Sequence, residues 1–378
     1  MRTTDGRGLR AEVCRNPGVF RLLGPEWADL YGRCATATPF QSHAWLHSWW
    51  LSYGRPRTLR VILVRRADGT LVAAAPLMRS AGPFSKLTQL GGAITDFTDV
   101  LVDDSCPEAV PVLAAAIARV ARGTVLDLRE VRPGAAAERL YAAWTGPRRR
   151  LPDSDCLELP AVPMEDLLER IPSGKAQRMR AKFRKLDALG IDARVVPAPE
   201  VPAALDRLLA LHRLQWQGRG VTAEHTSGRF ARHLARAVRP MVERGDAMVT
   251  EFRLDGAVVC ADLTLVSPRL AGGYLYGADP ALRARKVDVA AMLLRHGARE
   301  TSGHGRATLS MLRGTEPYKH HWRPETVPNR RLMLAGPAAR PLLWARVGAA
   351  LGRRWAARQA REREWLGRAV RRAGLGGA

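Results

Sequence analysis

The sequence predicts a mixed α/β (α+β) protein of two tandem halves, each a mostly antiparallel mixed sheet flanked by helices, with a basic amphipathic helix at the C-terminal end. Three observations lead there. Runs with strand character alternate with runs at helical spacing along the chain. Two hairpins of one design, VILVRRADGTLVAAAPL at 61–77 and VTEFRLDGAVVCADLTL at 249–265, are each followed by strand, helix and strand in the same order. A length of 378 residues suits two domains better than one. The expected division is 18–150, 151–336 and 337–378.

In the first half, residues 36–53 open on Thr38-Pro39 and continue at helical spacing through Trp45, Trp49 and Leu51. Strands at 59–65 and 71–78 flank Asp68-Gly69, a turn pair suited to the positive φ of a tight hairpin. A helix at 109–121, a strand at 125–131 and a helix at 135–144 follow. Pro147 to Asp155, with three arginines in a row, reads as the boundary. The second half begins with a basic helix at 173–189, stopped by Gly190. Next come a strand at 191–196, helices at 202–216 and 227–244, and a hairpin at 248–254 and 258–266 around Asp255-Gly256. Strands at 273–277, 307–312 and 330–334 and a helix at 288–301 complete it.

Composition narrows the setting. Hydrophobic residues at 46% and charged residues at 25% describe a globular chain. MRTTDGRGLRAEV carries no apolar core of a secretory signal, and no apolar run reaches membrane-spanning length. Five scattered cysteines (Cys14, Cys34, Cys106, Cys156, Cys260) form no CxxC pair, so no metal site is expected. His320 and His321 lack partners at ligand spacing and read as surface residues. These features suit a reducing cytoplasm. The net charge of +24 is carried mainly by arginine and concentrates at 175–185 and after 336. Such a surface attracts polyanions (nucleotide cofactors, tRNA, anionic lipid) without selecting among them.

The opening TPFQSHAWLHSWW, the pattern LVAAAPL followed by LGGAITDFTDVLVD, and the closing YLYGADP and LRGTEPYKHHW resemble the CelD-type branch of the GNAT acyltransferase superfamily, related to the FemAB-type aminoacyl transferases. The likeness runs from about 36 to 322. It implies two GNAT-like sheets, the second splayed open between its fourth and fifth strands, here 273–277 and 307–312. Main-chain N–H groups near Tyr276 and Gly277 would then lack ladder partners and receive an acyl carbonyl or pantetheine arm. Acetyl-CoA or another acyl-CoA is the implied co-substrate, its phosphates facing the next helix N-terminus. Members of the superfamily carry a glycine-containing phosphate loop, Q/R-x-x-G-x-G/A. Here the stretch is Arg283-Ala284-Arg285-Lys286-Val287-Asp288, with no glycine. Arg283, Arg285 and Lys286 would substitute side-chain charge, or Asp288 simply caps the helix among solvated cations.

Direct acyl transfer to an amine needs a base for the ammonium proton and an acid for the departing thiolate. Glu316 and Asp262 are the base candidates. Asp262 interrupts an apolar strand, which fits either a task or a solvent-facing position. Tyr318 is the acid candidate; Lys319 and Arg313 are candidates for holding phosphate or developing negative charge. The alternative is that this loop caps the sheet, with Tyr318 and Trp322 packed beneath. Trp45, Asp96 and Asp99 are candidates for an acceptor cleft between the halves; ordinary core packing and Asx turns explain them equally well.

The run Lys175, Arg178, Arg180, Lys182, Arg184, Lys185 gathers a polyanion such as tRNA or is solvated surface. The tail at 341–373, with Leu343, Val347 and Leu351 at i+4 and Trp344 and Trp355 beside them, suits peripheral membrane contact, docking on the protein itself, or nucleic-acid binding. Three functional readings follow: an N- or O-acyltransferase using acyl-CoA with a small-molecule, cell-envelope or polysaccharide acceptor; an aminoacyl-tRNA-dependent FemAB-type transferase; or a non-catalytic membrane-surface protein on a degenerate fold.

Overall fold

A computed structural model describes residues 3–4, 8–80, 85–217 and 223–372, with 361–372 as helix backbone alone. Its strands are β1 (Thr3–Thr4), β2 (Arg10–Cys14), β3 (Leu59–Arg65), β4 (Leu71–Arg79), β5 (Leu87–Gln89), β6 (Leu101–Val102), β7 (Val125–Val131), β8 (Arg148–Pro160), β9 (Asp192–Val195), β10 (Ala247–Leu254), β11 (Ala257–Val266), β12 (Leu270–Ala278), β13 (Thr308–Arg313) and β14 (Glu325–Ala335). All join one sheet in the order β1-β2-β3-β4-β5-β7-β14-β8-β13-β12-β11-β10-β9, with β6 beside β4.

Local chemistry explains the hairpins. Gly69 has φ 92° and Thr70 donates to Asp68 Oδ1 at 2.8 Å. Asp255 and Gly256 both take positive φ, 53° and 79°, which joins β10 to β11 tightly. β4, LVAAAPLMR, is buried at nearly every position, so it lacks the polar alternation of a half-exposed strand. Helix Ala109–Val120 covers one face, where Ala73, Ala75 and Leu77 pack. Helices Gly24–Gly32 and His43–Tyr53 cover the other, where Leu71 and Ala74 pack.

The repeat read in the hairpins extends to whole topology. β2 to β5 run antiparallel, and a helix then leads into the parallel strand β7. β9 to β12 run antiparallel, and helix Val289–Ser302 then leads into the parallel strand β13. Both parallel strands carry a left-handed residue one place before their end, Glu130 (φ 53°) and Leu312 (φ 54°). At the centre the last strands are exchanged. β8 follows β7 in the chain but lies against β13; β14 follows β13 but lies against β7; and the two pair with each other.

The boundary expected at 150/151 therefore falls inside β8. RRRLPDSDC reads as linker because charge and proline argue against a central strand. Pro152 is accommodated where the β8–β14 register shifts. The strand expected at 330–334 is correspondingly longer, Glu325–Ala335.

The halves share a continuous apolar core. Trp45 packs edge-on to His233 at 4.4 Å and Tyr274 at 5.2 Å between ring centroids. Tyr274 Oη donates to Ile94 O at 2.9 Å, and Ser48 Oγ to His233 O at 2.8 Å. Helix Arg340–Arg372 docks on the sheet through Leu343, Val347 and Ala350, against Val125, Leu151, Met333 and Ala335. Leu351 faces away from that seam, and it stays exposed with Trp344 and Trp355. The arginine side chains expected on the tail at Arg361, Arg363, Arg368, Arg371 and Arg372 lie outside the described residues. No helix among the described residues is long and apolar enough to cross a membrane.

Candidate active site

The two strands expected to part do so. β12 and β13 pair only at Leu270–Gly272 with Thr308–Ser310, and beyond Gly272 they diverge. On its other edge β12 stays paired with β11, with one slip that leaves Tyr274 as an extra residue, a bulge that bends the strand. Helix Val201–Trp216 backs the open end. A Cβ on Gly277 would sit 2.3 Å from His212 N, so only glycine allows this approach. His212 Nδ1 donates to Tyr276 O at 2.7 Å, and Ala278 N–H donates to Gln215 Oε1 at 3.0 Å. The expectation of bare main chain around Tyr276 and Gly277 is thus corrected in part. The strands separate, but side chains of a neighbouring helix already engage the main chain on either side of Gly277.

The corresponding gap in the first half is filled by its own chain. β5 and β7 pair only at Leu87–Leu126 and Thr88–Asp127. Thr98 then bridges to Val131, with its N–H donating to Glu130 O at 2.9 Å. Asp99 accepts from Ala136 N (2.9 Å), Ala137 N (2.7 Å) and Val100 N (2.8 Å), fastening the start of helix Ala136–Ala143. Burial pushes its carboxyl up to about 6, against those donors. A cavity of only about 10 Å³ remains there. Asp99 is therefore a buried helix cap rather than a cleft residue. Trp45, fully buried with its Nε1 donating to Thr95 Oγ1 at 3.0 Å, is core and cannot floor a solvent-filled cleft.

At the open end of β12 lies a cavity of about 990 Å³, lined by Lys182, Gln215, Ala278, Arg283, Lys286 and the helix start Asp288–Val289, among others. Asp288 caps helix Val289–Ser302 by accepting from Ala291 N at 3.1 Å, and Lys182 Nζ donates to its other oxygen at 2.6 Å. An internal carboxylate thus already occupies the helix N-terminus. Arg283 and Lys286 face the cavity, but Arg285 turns to Asp255, 3.7 Å away across the hairpin turn.

The loop after β13 gathers the remaining candidates. Gly314 (φ 113°) lets the Glu316 carboxylate fold back over it: a Cβ there would meet Oε1 at 2.6 Å. Lys319 is buried beneath, donating to Glu316 Oε2 (2.8 Å), Arg313 O (3.1 Å) and Gly314 O (3.4 Å). Its ammonium shapes the loop instead of facing a phosphate. Tyr318 is half exposed, and its phenol is pushed up to about 12, first by burial, then by Glu316 and Tyr276 nearby. His320 and His321 are exposed.

Arg313 is anchored in the first half, on Asp96 (3.0 Å), Glu130 (3.3 Å) and Ala93 O (2.6 Å). Burial works against its charge, but the two carboxylates outweigh it. Asp96 is the near-buried partner of this arginine, its carboxyl raised by burial. Asn329 ties the network together, donating to Asp96 O at 3.1 Å and Glu130 Oε2 at 3.2 Å.

Asp262 sits on β11 opposite Tyr276, 7% exposed, and accepts from Thr264 Oγ1 at 2.6 Å. Burial pushes its carboxyl up to about 6. The structure thus brings Glu316 and Tyr276 close to Tyr318, and leaves Trp45 in the core shared by the halves and Asp99 at a helix cap of the first half. Sequence reasoning missed His212, Gln215, Glu130 and Asn329, which carry no local signature because their partners lie far along the chain.

Residues 173–320 match the family model of the acetyltransferase (GNAT) domain, the segment that contains β12, β13 and the loop after them. No curated protein matches the chain. Among solved structures, FemX superposes with a TM-score of 0.59 at 12% identity, over 82% of this chain and 95% of FemX. The C-terminal domain of an assigned lysylphosphatidylglycerol synthetase from Agrobacterium fabrum gives 0.55 at 15%, over 87% of this chain and 96% of that one. L-PGS from Bacillus licheniformis gives 0.52 at 12%, over 85% and 92%. At such identities the likeness is one of fold. The chain carries a GNAT-type acyltransferase fold, of the mixed α/β class its sequence predicts.

Proposed function

We propose that the protein is an acyltransferase that moves an acyl group from a coenzyme A thioester to an amine or hydroxyl of a small-molecule, cell-envelope or polysaccharide acceptor. The observation that carries this reading is that β12 and β13 stand open while the equivalent gap between β5 and β7 is filled. Lys182, Arg283 and Lys286 line the cavity at the mouth and would hold the donor's phosphates by side-chain charge. Main-chain cradling is reduced, because Asp288 takes the helix start. Glu316 would accept the proton released as the nucleophile's bond to the acyl carbon forms. Tyr318 would donate a proton to the sulfur as the C–S bond breaks; its raised value keeps the phenol protonated at neutral pH. Asp262 is the second base candidate, separated from the gap by β12 itself.

One observation favours a second reading, transfer from aminoacyl-tRNA. Lys175, Arg178, Lys182 and Lys185 stand exposed along helix Ser173–Ala188 at i, i+3, i+7 and i+10, a cationic row beside the donor cavity. Thermal-shift titration separates the two. Ligand at a hundredfold excess over Kd adds about 2.7 kcal/mol to stability. Stabilisation by acetyl-CoA that disappears in R283Q/K286Q supports the first reading, and stabilisation by charged tRNA alone supports the second. Stabilisation by neither rejects both.

A further inference from the structure

The C-terminal helix meets the sheet with one face. Leu343, Val347 and Ala350 are buried at that seam, and Arg354 fastens it by donating to Pro152 O at 2.7 Å and Asp153 O at 2.8 Å. At about 3.6 residues per turn, the side turned away from the seam carries Trp344, Ala345, Gly348, Ala349, Leu351 and Trp355. All six are exposed, Trp344 at 41%, Leu351 at 49% and Trp355 at 68%. No charged residue falls on this side between Trp344 and Ala356. The other tryptophans whose side chains are described are buried or half-buried, so a chain that otherwise encloses this side chain turns two of them outward here. We propose that this face lies in the surface of an anionic lipid bilayer, with the helix held between the sheet and the membrane. The inference stands apart from the acyltransferase reading.

Charge complementarity selects the occupant. Residues 337–378 hold ten arginines and two glutamates, a net charge of +8 within a chain of +24. Around the helix the exposed Arg353 borders the apolar face on one side and the exposed Arg340 on the other. The bonds of Arg354 to Pro152 O and Asp153 O go to neutral carbonyls and leave its charge in place. From the sheet, the Arg149 guanidinium stands over the Trp344 ring, 4.0 Å from its centroid, and adds a further cation beside the face. An apolar face edged by arginines matches the boundary of a bilayer, where tryptophan and leucine enter the acyl region and guanidinium groups stay among the phosphates. A second copy of this chain is a poorer match, because it would bring one cationic helix against another. A nucleic acid would take the charge but leave Leu351 and its small neighbours uncovered.

The test is co-sedimentation of the full chain with vesicles of equimolar phosphatidylglycerol and phosphatidylcholine, compared with phosphatidylcholine alone. The expected result is saturable binding to the anionic vesicles, weaker by about tenfold or more on phosphatidylcholine and by about tenfold or more in L351S/W355S. These two substitutions leave every arginine and the buried seam in place, so the variant keeps the wild-type melting temperature, and binding by charge alone would not change. Equal binding of L351S/W355S and wild type to the anionic vesicles overturns the proposal. So does wild-type binding that is absent, or as tight on phosphatidylcholine alone. A wild-type dimer on gel filtration that L351S/W355S converts to monomer, without vesicle binding by either, gives the face to a second copy and overturns it as well. Binding of a single-stranded oligonucleotide that falls in L351S/W355S while vesicle binding does not gives the face to nucleic acid, with the same consequence.

Discussion

Single residues divide between those on the surface loop after β13 and those enclosed by the fold. Glu316 and Tyr318 stand on a surface loop whose shape depends on Gly314 and Lys319, so they are the side chains able to reach a substrate. Replacing Glu316 by Gln is expected to lower kcat by about 10²- to 10⁴-fold, the range for loss of a general base, with only a small drop in melting temperature, because Lys319 keeps Arg313 O and Gly314 O as acceptors. Loss of stability without loss of turnover at saturating substrates contradicts its assignment. Asp262 makes a different prediction. Its carboxyl is raised from 3.8 to about 6, so over that window the folded protein keeps a proton that the unfolded chain has released. Stability therefore falls as pH rises through the window, and the loss persists above it. Asp262→Asn still accepts from Thr264 and should melt higher than wild type at pH 8, by on the order of 1–3 kcal/mol. That advantage should vanish below pH 4.

Elements position these residues through close backbone contacts. Helix Val201–Trp216 presses on β12 at Gly277, where an added methyl would collide with main-chain atoms of His212, Leu208 and Leu211. Gly277→Ala is expected to cost about 1–3 kcal/mol, as overpacking does, and to weaken acetyl-CoA binding by shifting the strand that faces the gap. Urea midpoints and the acetyl-CoA thermal shift measure the two effects. The C-terminal helix is held by Leu343, Val347 and Ala350. Leu343→Ala should destabilise by roughly 2–5 kcal/mol; an unchanged urea midpoint would show that the helix is not seated on the sheet.

At the scale of the molecule, the exchange of β8 and β14 makes each half complete only with a strand from the other. A fragment ending at 162 carries β8 but lacks β14, leaving the edge of β7 unpaired and the apolar faces around Leu126 and Leu128 uncovered. Separately produced 1–162 and 163–378 are expected to aggregate or to lack sharp melting. Mixing them during refolding should restore a species of full-chain size on gel filtration. A 1–162 fragment that melts cooperatively alone overturns this view of the centre.

Much of this was legible from residue order alone. The Asp-Gly hairpins and the helices around the repeat follow from turn chemistry and periodicity, both short-range properties; the parting of β12 from β13 is implied by the resemblance of the motifs to the GNAT superfamily. Glu316 and Tyr318 could be singled out because they follow a strand end directly. Local sequence cannot announce β8, which is charged and contains proline; it is a strand because β14 and β13 satisfy its backbone from residues far along the chain. Likewise Asp99 and Trp45 look like binding residues until the fold supplies helix N–H groups to one and aromatic neighbours to the other. The sequence determined the hairpins, the helices around the repeat and the class of fold. The tertiary structure decided which gap stays open and which polar residues face it, because burial and long-range hydrogen bonds exist only once distant segments meet.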